Sequence, residues 1–273
     1  MLKQRLITAI ILIPLVIWSI LTLTTPTIAG LLAIFVLLAA WEWAGLCGWQ
    51  TVIQRSLYVL AMSIGLGIIY GCCAKGHPNN TVILLYGTSF WWLLALSWVG
   101  SYQQGVNFVP SHPLIKSLLG FLILLPAWFS LVALHNLNRE LLLFLLILIW
   151  IADSGAYFVG RRWGKRKLAD KISPGKTWEG VAGGILAGSL FATGYALLTI
   201  VSLNKILFFI LFCMITLFAS ILGDLLESLF KRQVGLKDSG QLLPGHGGIL
   251  DRIDSLTAAA PIFSLGLLLL LGI

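Results

Sequence analysis

Asp224, Glu227, Ser228 and Lys231 stand at i, i+3, i+4 and i+7, the spacing that lines one face of a helix. Asp251 and Asp254 repeat the i, i+3 step where a later apolar run begins, and Asp153 lies inside the apolar run Leu141–Val159. A charged side chain at mid-membrane costs about 2.5–3.5 kcal/mol by insertion scales, and less near an interface. Acids retained in such runs are expected to face a polar cavity and bind something. Clustered oxygens with no accompanying Cys or His pair suit a hard cation, which makes Mg2+ the expected metal. The plainer alternative is a network of buried Asp–Arg or Glu–Lys pairs holding helices together. That alternative explains one acid more readily than all five.

The segment from Lys231 to Asp254 joins the two acidic helices. Gly245, Gly247 and Gly248 permit close backbone approach there. They sit just ahead of a helix N-terminus, where free N–H groups and the helix dipole attract phosphate. Lys231, Arg232, Lys237 and Arg252 add positive charge. A second basic loop, Arg161 to Lys176, ends in Ser173-Pro-Gly-Lys-Thr-Trp-Glu179. Either loop alone suits topogenic charge or anionic-lipid contact. Glycines, basic residues and clustered acids together favour a nucleoside triphosphate with its metal. His246, between two glycines, belongs with that set, whereas His77, His112 and His135 have no such context.

Transmembrane helices must position these groups. Of 273 residues, 59% are hydrophobic and 10% charged, against about 45–50% and 25% in soluble domains. The bilayer is therefore the solvent for most of the chain. The net charge of +8 reflects basic loops and anionic ligands or headgroups, not nucleic acid. Nine spans are expected, at 6–24, 27–46, 56–73, 82–99, 114–134, 141–160, 180–201, 206–230 and 255–273. They form an all-α polytopic membrane protein. Residues 1–273 read as a single transmembrane domain, with N-terminal helices in 1–140 and catalytic helices and loops in 141–273. The apolar start is read as a retained first helix. A cytoplasmic N-terminus places 15 of the 18 lysines and arginines inside, as the positive-inside rule requires. Short loops and the absence of a transit peptide point to a bacterial inner (plasma) membrane, with the active site facing the cytoplasm.

Ser228-Leu-Phe-Lys-Arg, Lys237-Asp238 and His246-Gly-Gly-Ile-Leu-Asp-Arg-Ile-Asp254 together resemble the long signature of the phosphatidate cytidylyltransferases, or CDP-diacylglycerol synthases. Gly223-Asp-Leu-Leu-Glu-Ser228, Asp153-Ser-Gly-Ala-Tyr157 and Ser173-Pro-Gly-Lys-Thr-Trp-Glu-Gly180 support the match. One departure is Gly175, where the family commonly carries a second lysine. The resemblance implies transfer of CMP from CTP to phosphatidate, giving CDP-diacylglycerol and pyrophosphate. On that reading Asp224, Asp251 and Asp254 rank first as metal ligands, Asp153 and Glu227 second, and a second cation is allowed. Lys231, Arg232, Lys237, Arg252 and the 245–248 glycines hold triphosphate. Ser173, Lys176 and Thr177 hold substrate phosphate, and His246 positions by hydrogen bonding. The implied partners are phosphatidate, CTP and the bilayer, with a homodimer allowed. An ion-coupled transporter fits less well, because the acids gather toward one membrane face and the Gly-His-Gly-Gly loop suits phosphate. A CTP-dependent lipid kinase is the nearest enzyme alternative.

Overall fold

Turn chemistry sets the helix boundaries in the computed structural model, which describes residues 2–73, 78–106, 109–240, 242 and 247–271, with side chains at all but 2–11, 73, 78 and 79. The nine apolar runs form nine α-helices among those residues. They are α1 (Leu2–Thr22), α2 (Thr25–Cys47), α3 (Val52–Cys73), α4 (Pro78–Gln104) and α5 (Pro113–Leu137). The chain continues with α6 (Arg139–Trp163), α7 (Trp178–Thr199), α8 (Leu203–Gln233) and α9 (Leu250–Leu271). Eight are long and apolar enough to cross a membrane, and Leu12–Thr22 within α1 is a shorter apolar helix. The all-α polytopic reading holds, because lipid leaves backbone polar groups no partner but their own helix.

Proline opens two helices where the sequence breaks were expected. Pro26 occupies the first turn of α2, and Pro113 that of α5, where the His112 side chain accepts the Leu114 N–H. A missing N–H costs nothing at that position. Gly48 closes α2 in the left-handed region at φ 97°, where a side chain meets strain. Helices run past their apolar windows into polar flanks. At 1.5 Å per residue, α8 spans about 46 Å against a hydrocarbon core of about 30 Å. Its last ten residues, from Asp224, therefore have length to lie beyond the hydrocarbon.

The chain divides into two compact units. The first comprises Met1–Thr81, Pro110–Leu143 and Phe230–Asp254; the second comprises Val82–Val109, Phe144–Leu229 and Ser255–Ile273. In the first, α2, α3 and α5 pack together and are tied by indole and phenol donors. Trp43 donates to the Lys116 carbonyl at 2.9 Å, Trp128 to that of Ala29 at 3.0 Å and Tyr58 to that of Ser117 at 3.0 Å. His135, unassigned by sequence, bridges the Ile20 carbonyl and the Thr25 hydroxyl. Ile53, Leu57, Leu60, Ile64 and Ile68 form an exposed stripe along α3. Water would oppose such a stripe, and lipid accepts it.

In the second unit, Phe144 of α6 contacts Phe191 and Tyr195 of α7, Phe209 of α8 and Phe263 of α9. Ala152, Ala156 and Gly160 on α6 meet Gly180 and Gly184 on α7, two ridges of small residues at four-residue intervals. A Cβ at Gly184 would stand 2.8 Å from the Ala152 carbonyl oxygen, and one at Gly180 3.0 Å from that of Ala156. Small ridges let membrane helices approach backbone to backbone. Gly184→Val is therefore expected to lower stability by about 1–3 kcal/mol through overpacking. Thermal unfolding of the detergent-solubilised protein checks this, and an unchanged midpoint contradicts it.

The second basic loop is more ordered than its charge suggests. Strands β1 (Lys167–Ala169) and β2 (Ser173–Thr177) form an antiparallel hairpin, with Lys167 opposite Thr177 and Ala169 opposite Ser173. Segments of three and five residues, rich in lysine and glycine, give no alternating pattern for a reader of sequence.

Candidate active site

β2 runs directly into α7, and this junction brings charge to a cavity of the second unit. Thr177 caps α7 by accepting the Gly180 N–H at 3.1 Å. Glu179, in the first turn, accepts the backbone N–H groups of Lys165 and Arg166 at 3.0 and 3.2 Å. The carboxylate both suits the positive end of the helix and fixes the start of the hairpin. Lys176 is thereby held on the wall of a cavity of about 340 Å³, within the size range of small-molecule sites.

Asp153 from α6 and Asp224 from α8 line that cavity with Lys176. The Lys176 Nζ lies 2.6 Å from Asp224 Oδ2, and Ser228 Oγ donates to Asp224 Oδ1 at 3.2 Å. Asp153 lies within electrostatic range of both Lys176 and Asp224. Lys176 therefore offsets repulsion between the two carboxylates. Arg161 and Tyr157 add a second cation and a phenol to the lining, and Ala152, Ala156, Val181 and Leu217 give it apolar wall. The cavity thus joins charged side chains to an apolar wall.

Two carboxylates on one cavity wall fit Mg2+, which usually takes one or two protein carboxylates and completes its shell with phosphate oxygens and water. Among the described residues no three His, Cys, Asp or Glu side chains gather into an all-protein cage. The donor set therefore suits a cation that comes with phosphate.

The first unit gathers a different pair. Lys231 Nζ lies 2.6 Å from Asp251 Oδ1, with both side chains under 10% exposed. Asp251 Oδ2 also accepts the N–H groups of Gly248 at 2.8 Å and Ser239 at 3.0 Å. Gly247, at φ 83°, makes the turn that only glycine takes without strain. Glu42 of α2, only 3% exposed, accepts the Ile249 and Leu250 N–H groups at 3.1 and 2.8 Å. Three amides at the start of α9, those of Gly248, Ile249 and Leu250, thus donate to carboxylates.

The expected ligands divide between the units, with Asp153, Asp224 and Glu227 in the second and Asp251 and Asp254 in the first. Glu227 is buried on α8, and Asp254 is half-buried in the first turns of α9. Of the expected phosphate contacts, Lys176 and Thr177 line the cavity, whereas Ser173 begins β2 and does not. Arg232 donates to the Leu236 carbonyl at 3.0 Å, and Lys237 and Arg252 are exposed. Gly245 and His246 lie outside the described residues. Sequence reasoning missed Glu42. The signal was present, since a carboxylate between Trp41 and Trp43 in the span 27–46 carries the same insertion penalty that singled out Asp153.

The profile of the cytidylyltransferase family matches residues 3–270. The chain is 42% identical over 266 residues to the phosphatidate cytidylyltransferase of Pseudomonas aeruginosa, covering 97% of this chain and 96% of that protein. To the phosphatidate cytidylyltransferase of Haemophilus influenzae it is 40% identical over 283 residues, covering 97% and 98%. A shorter similarity, 51% over 118 residues and 42% of each chain, links it to the phosphatidate cytidylyltransferase of Bacillus subtilis. Matched along nearly its whole length, the chain belongs to the cytidylyltransferase family.

Proposed function

We propose that this protein transfers CMP from CTP to phosphatidate, giving CDP-diacylglycerol and pyrophosphate. The 42% identity to a protein named for that activity, across 97% of the chain, carries the reading. The cavity gives it a chemical setting. An oxygen of the phosphatidate phosphate attacks the α-phosphorus of CTP, the bond to the β-phosphate oxygen breaks, and pyrophosphate takes the electron pair. The attacking phosphate is already ionised, so the site needs no strong general base. It needs to hold two polyanions together and to stabilise charge growing on the leaving group.

Within the second unit, Asp153 and Asp224 are assigned to hold Mg2+, whose positive charge neutralises the phosphates. Lys176 and Arg161 attract a substrate phosphate, and the apolar wall accommodates lipid. Gly175 lines the same cavity, and a Cβ there meets nothing within 4 Å. Lys176 and Arg161, on the same cavity, supply the charge there. Within the first unit, Lys231, Arg232, Lys237 and Arg252 are assigned to the triphosphate, with Asp251 setting the position of Lys231. The basic segments face the cytoplasm of a bacterial inner membrane, where CTP arrives from water. The excess of lysine and arginine in those segments supports this orientation.

Purified protein given phosphatidate and CTP labelled at the α-phosphate is expected to place label in extractable lipid, with one pyrophosphate released per lipid labelled. A divalent chelator abolishes labelling and added Mg2+ restores it. Lipid labelled by γ-labelled CTP and not by α-labelled CTP, with CDP left free, identifies a kinase instead.

A further inference from the structure

Glu42 is the most enclosed carboxylate in the first unit that the proposed chemistry leaves unused. It has three donors: the Ile249 N–H on Oε1, and the Leu250 N–H and Ser239 hydroxyl on Oε2, the last at 3.2 Å. These come from either side of residues 240–248, which carry the glycines. The backbone folds closely around the carboxylate. A Cβ at Gly248 would stand 2.5 Å from Glu42 Oε2, and one at Gly240 2.7 Å from its carboxyl carbon. Ser239 joins two anchors, since its hydroxyl donates to Glu42 while its N–H donates to Asp251. Asp251 in turn holds Lys231.

We propose that Glu42 is a positioning residue, a buried anchor on α2 that fixes Ser239 and the start of α9 and through them the Lys231–Asp251 pair. The proposal rests on the cytidylyltransferase reading and assigns a residue to the CTP side of that reaction. Three donors converging on one carboxylate at the positive end of α9 set its geometry. No neutral side chain of that size can reproduce the arrangement. A Gln amide offers one acceptor oxygen and turns an NH2 toward backbone N–H groups. Groups that orient active residues in this way typically cost 10–100-fold in activity when changed.

Glu42→Gln and Glu42→Asp, each purified as full-length protein, test this by hydrogen exchange and by kinetics. In Glu42→Gln, peptides covering 239–251 are expected to exchange at least about tenfold faster, with α3 and α5 unchanged. The same variant loses about 10–100-fold in kcat/KM for CTP, while KM for phosphatidate stays within about twofold. Glu42→Asp keeps the charge and loosens the same peptides by a smaller factor. Unchanged exchange at 239–251 in Glu42→Gln overturns the proposal, and so does a loss that strikes both substrates equally. If Glu42→Gln fails to fold, Glu42→Asp decides, and its equality with wild type in exchange and in KM for CTP overturns the proposal. Wild-type protein that transfers no CMP defeats the functional reading and leaves the exchange result to judge the anchor.

Discussion

Asp224→Asn is expected to lower CMP transfer by about 10²–10³-fold, the loss seen when a group that stabilises transition-state charge is removed, while the protein still inserts and folds. The variant keeps the shape of the side chain, and its amide oxygen can still accept from Ser228. It removes the negative charge that faces Lys176 at 2.6 Å and half of the carboxylate pair on the cavity wall. The folding cost is small, because Lys176 and Asp224 are 25% and 30% exposed and pairs in contact with solvent contribute about 1 kcal/mol or less. Activity and stability should therefore separate. Steady-state transfer of labelled CMP, beside thermal unfolding of the same preparation, reads both. Near-normal turnover in a well-folded Asp224→Asn protein removes Asp224 from the site.

Asp251→Asn is expected to behave differently, losing both activity and stability. Lys231 and Asp251 are 8% and 9% exposed, so the substitution leaves an ammonium buried without the carboxylate that faces it. Breaking a buried pair by removing one partner costs about 3–5 kcal/mol. The amide also cannot accept from Lys231, Gly248 and Ser239 together as the carboxylate does. Adding Lys231→Met removes the buried charge and should recover the part of the stability lost to it, while the part owed to the Gly248 and Ser239 N–H groups stays lost. CMP transfer should not return, because the triphosphate has lost a cation. Thermal unfolding of the single and double variants tests the first statement. Recovery of transfer in the double variant contradicts the role given to Lys231. An Asp251→Asn protein as stable as wild type contradicts the energetic account of the pair.

The helices were legible in the sequence because hydropathy and turn residues act locally. Among the described residues nine apolar runs became nine helices, and Pro26 and Pro113 opened α2 and α5. The hairpin at 167–177 was not legible, since its strands are short and their charges mask any alternation. Nor was Glu42, although the reasoning that singled out Asp153 applied to it equally. Among the cysteines, Cys47 and Cys213 are buried and Cys72 is exposed. A lipid-facing cysteine and a core cysteine look alike in an apolar window.

The sequence by itself determined that lipid is the solvent, that the chain spans it with helices, and that it belongs to a recognisable family. Each of these follows from composition, from periodicity within one helix, or from a spaced motif read along the chain. The tertiary structure decided which charges meet. It set Lys176 against Asp224, gave Asp251 to Lys231, and closed the N-terminus of α9 with Glu42, which is 207 residues from Ile249 in the chain. Such pairings depend on how closely helices approach, as the Ala and Gly ridges of α6 and α7 illustrate. Close approach is a property of two surfaces together, so no window along one segment contains it.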